Sequence, residues 1–218
     1  MKYNVNFDIE FLKNPYSGKL IAIEGLDGSG KTTQAKLLCS KLSEKGYTTY
    51  CTKEPTDEPT GKMIRQVLSG ELKMPPVALQ YLFNADRAVH QELFTQHLQN
   101  GEYIITDRYF WSSVAYAIAD MQGIEDYYLS VFSLLSFYNR FFVPDITFYL
   151  QVNPQTGTHR IDETGKKREI YDHKEKLVKI QKGYEFLLEK FPEEFVIIDA
   201  EKSVEEVSNT ILEKIINL

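Results

Sequence analysis

Short, mostly apolar runs alternate along the chain with stretches in which apolar residues recur every three or four positions. Residues 19–24 (KLIAIE) are flanked by glycines, a pattern typical of a buried parallel strand. Further strands are predicted where β-branched, aromatic and other apolar residues gather, at 47–52, 103–106, 146–152 and 195–199. Strands that alternate with helices indicate an α/β fold, with a doubly wound, parallel, five-stranded sheet flanked by helices.

Helices are predicted from the spacing of apolar residues between these strands. Ala35, Leu38 and Leu42 mark the first helix, which Gly46 ends. The other helices are predicted at about 62–69, 75–99, 111–120, 125–139, Lys174–Lys190 and Val204–Ile216. The apolar side of the longest one is predicted to consist of Leu79, Leu82, Phe83, Val89, Leu93 and Leu98.

The composition is that of a globular protein. The chain has 218 residues, of which 43% are apolar and 26% charged, an ordinary globular composition with enough length for a sizeable core. We therefore expect a single domain over 19–218, preceded by an extension at 1–18. Cys39 and Cys51 indicate neither a disulfide framework nor a metal cluster, and both are expected to pack in the interior.

Charge and hydropathy exclude some partners. A net charge of −6 argues against nucleic acid and anionic membranes, since both require a cationic surface. No run approaches the roughly 18 apolar residues of a membrane span. Residues 1–18 carry acids and lack a long apolar stretch, so they do not resemble a signal peptide. We expect a soluble, cytoplasmic protein in which any anionic ligand meets cations gathered locally.

The first motif with chemical content begins where the first strand ends. Residues 25–32 (GLDGSGKT) match the phosphate-loop pattern G-x-x-x-x-G-K-[ST]. In this pattern Lys31 reaches the β- and γ-phosphates of a nucleotide, and the Thr32 hydroxyl binds Mg²⁺. The alternative is a glycine-rich turn that only joins a strand to a helix. The predicted nucleotide-binding residues are Gly25, Leu26, Asp27, Gly28, Ser29, Gly30, Lys31, Thr32 and Thr33, with Mg²⁺ as cofactor.

An acid and a cation directly follow the strand 103–106. Asp107 stands where phosphate-loop folds place a carboxylate that holds Mg²⁺, directly or through water. Arg108 can bind a phosphate group bidentately. A surface ion pair is the alternative, but ligands in doubly wound sheets lie at the carboxyl ends of strands.

Phe83 and Arg87 lie one turn apart on the longest predicted helix and therefore share a face. A ring and a guanidinium on one face can stack on a nucleobase and hydrogen-bond to its edge. Phenylalanine at this spacing is also common in a hydrophobic core, so the pair alone leaves both interpretations open.

The segment 153–172 is polar and carries two glycines and the cations Arg160, Lys166, Lys167 and Arg168. Phosphoryl transfer requires cations around the moving group and exclusion of water. We interpret the segment as a mobile lid, and a solvated charged loop is the alternative.

Taken together, these residues resemble the thymidylate kinase family, in the version common in archaea. The resemblance rests on EGLDGSGKTTQ, KEPTDEPTGKMIR, LFNADRAVH, DRYFWSSVAY and a lid that ends in KREIYD, in family order. It implies ATP-dependent phosphorylation of dTMP to dTDP for dTTP biosynthesis, by a homodimer. Gln151 and Ala117 stand where the family usually has Asp and Gln. Another nucleoside or nucleotide kinase and an inactive nucleotide-binding regulatory module therefore stay open as alternatives.

The resemblance also implies roles for single residues. Phe83 stacks on thymine, Arg87 bonds its O4, and Arg108 holds the monophosphate. The implied dTMP-binding set is Asp27, Glu54, Arg65, Phe83, Arg87, Arg108, Ser113 and Tyr116. Ser29 lies where one branch of the family carries a catalytic arginine, so the resemblance assigns that cation to the lid here. The implied catalytic residues are Lys31, Arg108, Arg160 and Arg168, with Arg168 the favoured lid cation; the implied metal ligands are Thr32 and Asp107.

Overall fold

The computed structural model describes residues 10–120, 134–135, 137–165 and 167–216. Its strands are β1 (Leu12–Lys13), β2 (Lys19–Gly25), β3 (Thr49–Lys53), β4 (Tyr103–Asp107), β5 (Phe142–Val143), β6 (Ile146–Gln151) and β7 (Val196–Asp199). Five of them form a parallel sheet in the order β3–β4–β2–β6–β7. The short strands β1 and β5 form a separate parallel pair. The predicted parallel five-stranded sheet is confirmed.

Helices connect the strands and cover the sheet. They are α1 (Lys31–Glu44), α2 (Pro59–Leu68), α3 (Pro76–Gln99), α4 (Phe110–Asp120), α5 (Pro154–Glu163), α6 (Lys174–Lys190) and α7 (Val204–Ile216), with 3-10 turns at Tyr138–Arg140 and Pro192–Glu194. α1 packs against α7 and the sheet, whereas α4 packs against α3 and α6. The helix predicted at 125–139 lies mostly outside the described residues. Across the described ranges, no helix is both long enough and apolar enough to cross a membrane.

The central strand places the site. β2 lies between β4 and β6, and its residues Leu20 to Ile23 are fully buried. In the parallel register Ile23 pairs with Asp107, and Asp107 pairs with Lys53 on the other side. The loop after β2, Asp107 and the residue after Lys53 therefore meet at one edge of the sheet, as the carboxyl ends of parallel strands do.

The face that α3 buries differs from the predicted one. Val89 and Leu93 were expected in the core but are 38% and 43% exposed. The buried face carries instead the polar residues Gln80, Asn84, Asp86, Arg87 and His90. Apolar spacing failed here because the carboxylates and cations are buried together and satisfy one another, which the hydropathy of single residues does not reveal.

The segment 153–172 was predicted without a helix of its own, and this prediction is wrong for its first half. α5 begins at Pro154, and the side chain of Asn153 accepts a hydrogen bond from the Gln155 N–H (2.9 Å). An Asn at the N-cap followed by Pro at the first helical position is a helix-start signal that the polar composition obscured.

The two cysteines also differ from expectation. Cys39 in α1 and Cys51 in β3 form a disulfide across 12 residues, with a Cα–Cα distance of 6.4 Å. Cys39 is buried, but Cys51 is exposed, so the expectation of buried, unpaired cysteines is wrong. The spacing of the pair in sequence gives no sign that the middle of β3 and the middle of α1 are adjacent.

The described part of the N-terminal extension packs on the domain. Phe11 contacts Phe110, Trp111 and Phe191, with ring centroids 6.1–6.3 Å apart. Asn14 donates to the carboxylate of Asp145 (2.9 Å). Residues 10–18 therefore contribute to the hydrophobic core beside α4.

Candidate active site

The phosphate loop joins β2 to α1 in a conformation that requires glycine at two positions. Gly28 and Gly30 have φ values of 78° and 94°, in the left-handed region. A Cβ on Gly28 would also lie 2.2 Å from the carbonyl oxygen of Gly157 in α5. The loop thus presents its backbone at the N-terminus of α1, where N–H groups and the helix dipole favour a bound anion. α5 packs directly against it.

The Lys31 side chain folds back onto the phosphate loop. Its Nζ donates to the Leu26 carbonyl oxygen (2.6 Å) and lies 3.8 Å from the Asp27 carboxylate. Burial and the nearby Arg108 lower the pKa of Lys31 to about 8, although Asp27 and Asp107 oppose the shift. A phosphate that replaced the carbonyl contact would favour the charged ammonium.

Thr32 and Asp107 form a candidate Mg²⁺ site. The Thr32 hydroxyl donates to one oxygen of Asp107, and the other oxygen, Oδ1, is buried with no hydrogen-bond partner among the described residues. An orphaned carboxylate oxygen beside a hydroxyl fits a hard cation. Within the described ranges, no group of three or more His, Cys, Asp or Glu side chains could hold a metal. Mg²⁺ with few protein ligands is completed by substrate phosphates and water.

Arg108 connects the phosphate loop to α4. It is the one non-glycine residue with positive φ (73°) in the described chain, and its guanidinium bonds Asp27 (2.5 Å), the Gly25 carbonyl (3.2 Å) and Ser112 Oγ (3.0 Å). The guanidinium also lies over the Tyr116 ring, 5.1 Å from its centroid. Burial acts to raise the pKa of Asp27, but Arg108, Lys31 and the Tyr116 hydroxyl more than offset it and hold that pKa at about 2.

Two cavities meet at Arg108. A cavity of about 110 Å³, called here the small pocket, is lined by Phe83, Arg87, Ser113, Tyr116 and Tyr171, among others. A cavity of about 770 Å³, called here the large cleft, follows the phosphate loop and extends to Ala200 and Ser203 after β7. The residues shared by both linings are Asp27, Glu54, Pro55, Leu68, Arg108 and Glu169. The small pocket thus opens onto the edge of the phosphate loop.

Buried charges line the back of the small pocket. The Arg87 guanidinium donates to Glu54 through Nε (3.0 Å) and Nη2 (2.5 Å), and Nη2 also contacts the Tyr109 carbonyl (3.2 Å) and Ser113 Oγ (3.1 Å). Arg87 is 1% exposed and Glu54 6%. Such a pair is held rigidly, because every member leaves a buried partner unsatisfied if it moves.

The other predicted acceptor residues occupy different parts of this region. Phe83, half buried, and Tyr116 lie in the small pocket, and the Tyr116 hydroxyl donates to Asp27 (2.7 Å). Arg65 lies in the large cleft, where it contacts the Pro55 carbonyl (2.9 Å) and Asp57 (3.0 Å). The structure therefore brings together all eight predicted dTMP-binding residues around the junction of the two cavities, and their individual roles stay predictions.

The two lid arginines lie in different environments. Arg160 lines the large cleft and donates through Nη1 and Nη2 to the Ala200 carbonyl (both 3.1 Å). Arg168 pairs with Asp162 on the same segment (2.6 Å) and is not among the residues that line either cavity. Lys167 is exposed, and Lys166 lies outside the described residues.

Two buried polar residues of the site escaped the sequence analysis. Glu24, fully buried at the end of β2, accepts hydrogen bonds from the Tyr109 and Ser112 N–H groups (3.0 and 3.1 Å) and from the Tyr184 hydroxyl (2.9 Å). Burial raises the pKa of Glu24, in part opposed by these donors. His90 contacts Glu54 behind the small pocket. Only their position on elements that lead to the site could have suggested either residue from sequence.

Comparison with known proteins agrees with this geometry. The family model described as thymidylate kinase matches residues 23–211. A probable thymidylate kinase of Methanocaldococcus jannaschii is 38% identical over 194 residues, covering 88% of this chain and 93% of that protein. One of Thermococcus kodakarensis is 40% identical over 205 residues, covering 88% and 94%. The solved thymidylate kinase of Candida albicans superimposes with a TM-score of 0.73 at 29% identity, covering 92% of each chain. The chain belongs to the thymidylate kinase family.

Proposed function

We propose that the protein transfers the γ-phosphoryl group of ATP to dTMP and releases ADP and dTDP. The observation that carries this proposal is the junction of the two cavities at Asp27 and Arg108. ATP phosphates held by the phosphate loop in the large cleft face a monophosphate held at Arg108. The attacking and leaving oxygens can then lie in line, and direct transfer needs no covalent intermediate.

On the donor side, backbone N–H groups of residues 25–33 hold the phosphates, and Lys31 leaves the Leu26 carbonyl to bind β- and γ-oxygens. Thr32 and Asp107 would hold Mg²⁺, which would supply positive charge next to the ATP phosphates. Support comes from the buried, unpartnered Asp107 Oδ1 beside the Thr32 hydroxyl. These residues position the donor and stabilise charge.

On the acceptor side, the small pocket binds the base and sugar of dTMP. Phe83 stacks on thymine, Arg87 bonds to its edge, and Ser113 and Tyr116 line the sugar side. Arg108 binds the monophosphate, with Asp27, Glu54 and Arg65 around it. Supporting this assignment is the fixed guanidinium of Arg87 at the back of a pocket that contains an aromatic ring.

The lid supplies further cations, since Ser29 provides none in the phosphate loop. Arg160 is the stronger candidate in this conformation because it already lines the large cleft with the loop. Arg168 was favoured by the sequence, and it must first leave Asp162 to reach a phosphate. Charge on the equatorial oxygens of the transferred group favours such arginines in the transition state.

The protein also acts as a homodimer in this proposal. Trp111 and Val114 in α4 are fully buried and therefore offer no apolar surface for the interface. Exposed apolar residues lie on α3, where Val77, Tyr81 and Leu93 are 67%, 49% and 43% exposed, and the proposed interface is on this helix. Light scattering should give about twice the 25.3 kDa chain mass, and Tyr81→Lys with Leu93→Lys should give monomers. A monomeric parent would contradict this part of the proposal.

A coupled assay of ADP release across nucleoside monophosphates tests the proposed reaction. We expect the highest kcat/KM with dTMP, and strict dependence on Mg²⁺. Preference for another monophosphate would make the protein a different nucleotide kinase. ATP binding without turnover of any monophosphate would favour the regulatory-module alternative.

A further inference from the structure

His90 is a fully buried histidine behind the small pocket. It lies on α3, three residues after Arg87 and therefore about one turn along the same face. His90 Nδ1 lies 3.0 Å from Glu54 Oε1, and Nε2 lies 2.7 Å from Thr52 Oγ1. The ring also packs edge-on against Phe94, with centroids 5.0 Å apart. His90 does not line the small pocket, so it contacts the proposed dTMP site only through Glu54.

The partners of His90 fix its tautomer. Glu54 forms an ion pair with the Arg87 guanidinium, and a carboxylate can only accept hydrogen bonds. The imidazole therefore carries its proton on Nδ1 and donates it to Glu54. Nε2 can then accept from the Thr52 hydroxyl, so that both ring nitrogens have a partner.

The geometry of Glu54 shows what this contact does. Oε2 accepts from both Nε and Nη2 of Arg87, at 3.0 and 2.5 Å, whereas Oε1 meets Arg87 only at 3.3 Å and His90 at 3.0 Å. His90 thus fixes the second oxygen of the carboxylate. Without it the carboxylate can rotate about its Cγ–Cδ bond, and the guanidinium that it holds rotates with it.

We propose that His90 is a positioning residue for recognition of the acceptor base: Nδ1 fixes Glu54, and Glu54 fixes the Arg87 guanidinium that meets the nucleobase. This role rests on the proposed binding of the dTMP base in the small pocket. We expect its effect to fall on the acceptor, because His90, Glu54 and Arg87 are joined at the back of the small pocket.

Two amide substitutions distinguish the roles of the two ring nitrogens of His90. In His90→Asn, an amide N–H can occupy the place of Nδ1 and still donate to Glu54, whereas in His90→Gln the amide reaches the place of Nε2 near Thr52. Loss of one hydrogen bond to a charged group corresponds to about a tenfold change. We expect His90→Gln to raise KM for dTMP about tenfold, and His90→Asn to stay within about threefold of the parent, because only it keeps that bond. KM for ATP should change less than about twofold in both.

His97→Gln is the matched control. His97 lies on the same helix and also pairs with a carboxylate through Nδ1 (Glu102, 2.7 Å), but it stacks on Tyr50 away from both cavities. This variant should leave both KM values unchanged. Equal effects of Asn and Gln at position 90, or a parallel rise of KM for ATP, would overturn the proposal, since both would indicate a merely structural histidine.

A second variant keeps the test decisive if position 90 does not tolerate change. Thr52→Val removes the partner of Nε2 with little change in side-chain volume, and KM for dTMP should stay within about threefold of the parent, as in His90→Asn, with KM for ATP unchanged. A tenfold rise in KM for dTMP would contradict the proposal, because it would place the effect on Nε2 rather than on Nδ1. A parent that prefers another monophosphate overturns the proposed function, and the Asn–Gln contrast in KM for that acceptor still decides the role of His90.

Discussion

The small pocket and the phosphate loop hold their charged side chains in different ways. Behind the small pocket, Glu54, Arg87 and His90 are buried and contact one another. Around the phosphate loop, the cations rest on groups that ligand must replace: Lys31 on the Leu26 carbonyl and Arg160 on the Ala200 carbonyl. The proposed acceptor site is therefore preformed, whereas the proposed donor site is completed by its ligand.

This difference has an energetic consequence. Removing one member of a buried ion pair leaves an uncompensated charge in the interior, which costs stability. A cation that rests on a backbone carbonyl at the edge of a cleft can be removed with little effect on folding, although the reaction loses its charge. Substitutions on the acceptor side should therefore lower stability, and those on the donor side should lower turnover.

Lys31→Ala should show the largest effect on the reaction. Loss of a preorganised charge at the transferring phosphate should lower kcat about 10³-fold. The free energy of unfolding should change by less than about 1 kcal/mol, because burial already disfavours the ammonium in the folded state. Steady-state kinetics and urea unfolding measure the two quantities. Lys36→Ala on the exposed side of α1 is the control, and Lys31→Ala turnover within a few-fold of the parent would contradict the phosphate-loop assignment.

Arg87→Ala should show the largest effect on stability. It leaves the Glu54 carboxylate buried without its guanidinium, at a cost of about 3 kcal/mol in the free energy of unfolding. It should also raise KM for dTMP much more than KM for ATP, since only the acceptor meets this face. Arg65→Ala, whose side chain is 34% exposed, should cost less than about 1 kcal/mol. Equal losses from the two arginines in unfolding experiments would show that burial of the pair with Glu54 does not set the cost.

The next largest effect on turnover is expected from Arg160 and Arg168, the arginines of the predicted lid. Arg160→Ala should lower kcat and kcat/KM together by about 10²-fold, with little change in KM, because the contact forms mainly in the transition state. Arg168→Ala tests the residue that the sequence favoured, and the larger loss identifies the catalytic cation. Lys167→Ala, exposed beside Arg168, is the control. Parent-like kinetics in both arginine variants would show that the segment 153–172 supplies no catalytic cation.

The smallest expected effect is a pH dependence of stability at Asp27. Its pKa of about 2 is below the value near 4 of an unfolded aspartate, so the folded state binds fewer protons between these values. This stabilisation is present above pH 4 and disappears as the pH falls toward 2. It amounts to at most about 2 kcal/mol, because Asp27 is partly exposed.

Urea unfolding at several pH values between 2 and 5 measures this dependence. Asp27→Asn should flatten the acid limb of the stability curve, whereas Asp57→Asn, at a carboxylate that is 76% exposed, should not. A parent-like acid limb in Asp27→Asn would show that Arg108 and Lys31 do not hold this carboxylate ionised.

The features predicted from the sequence are those that depend on residues close together along the chain. The phosphate loop and Asp107 follow from residues that are neighbours along the chain, and Lys174–Lys190 and Val204–Ile216 were predicted with the bounds that the structure shows. The apolar period of a helix and the end of a strand can both be recognised from neighbouring residues. In a parallel sheet the carboxyl ends of the strands then give the location of the site.

The rest depends on contacts between distant elements. Glu54 and His90 are 36 residues apart, and their contact decides that α3 buries a polar face. The disulfide and the packing of Gly157 on the phosphate loop likewise join separate parts of the chain. The start of α5 is a different case, because Asn153 and Pro154 did carry the signal and the polar composition outweighed it.

A crystal structure with dTMP and a non-hydrolysable ATP analogue bound tests the central claim most directly. We predict that Glu54 keeps its contacts with Arg87 and His90 and that thymine lies against Phe83. Lys31 should leave the Leu26 carbonyl for the phosphates, and Arg160 should leave the Ala200 carbonyl. A complex in which Arg87 releases Glu54, or in which Lys31 stays on the Leu26 carbonyl, would contradict the account of a preformed acceptor site and a donor site completed by substrate.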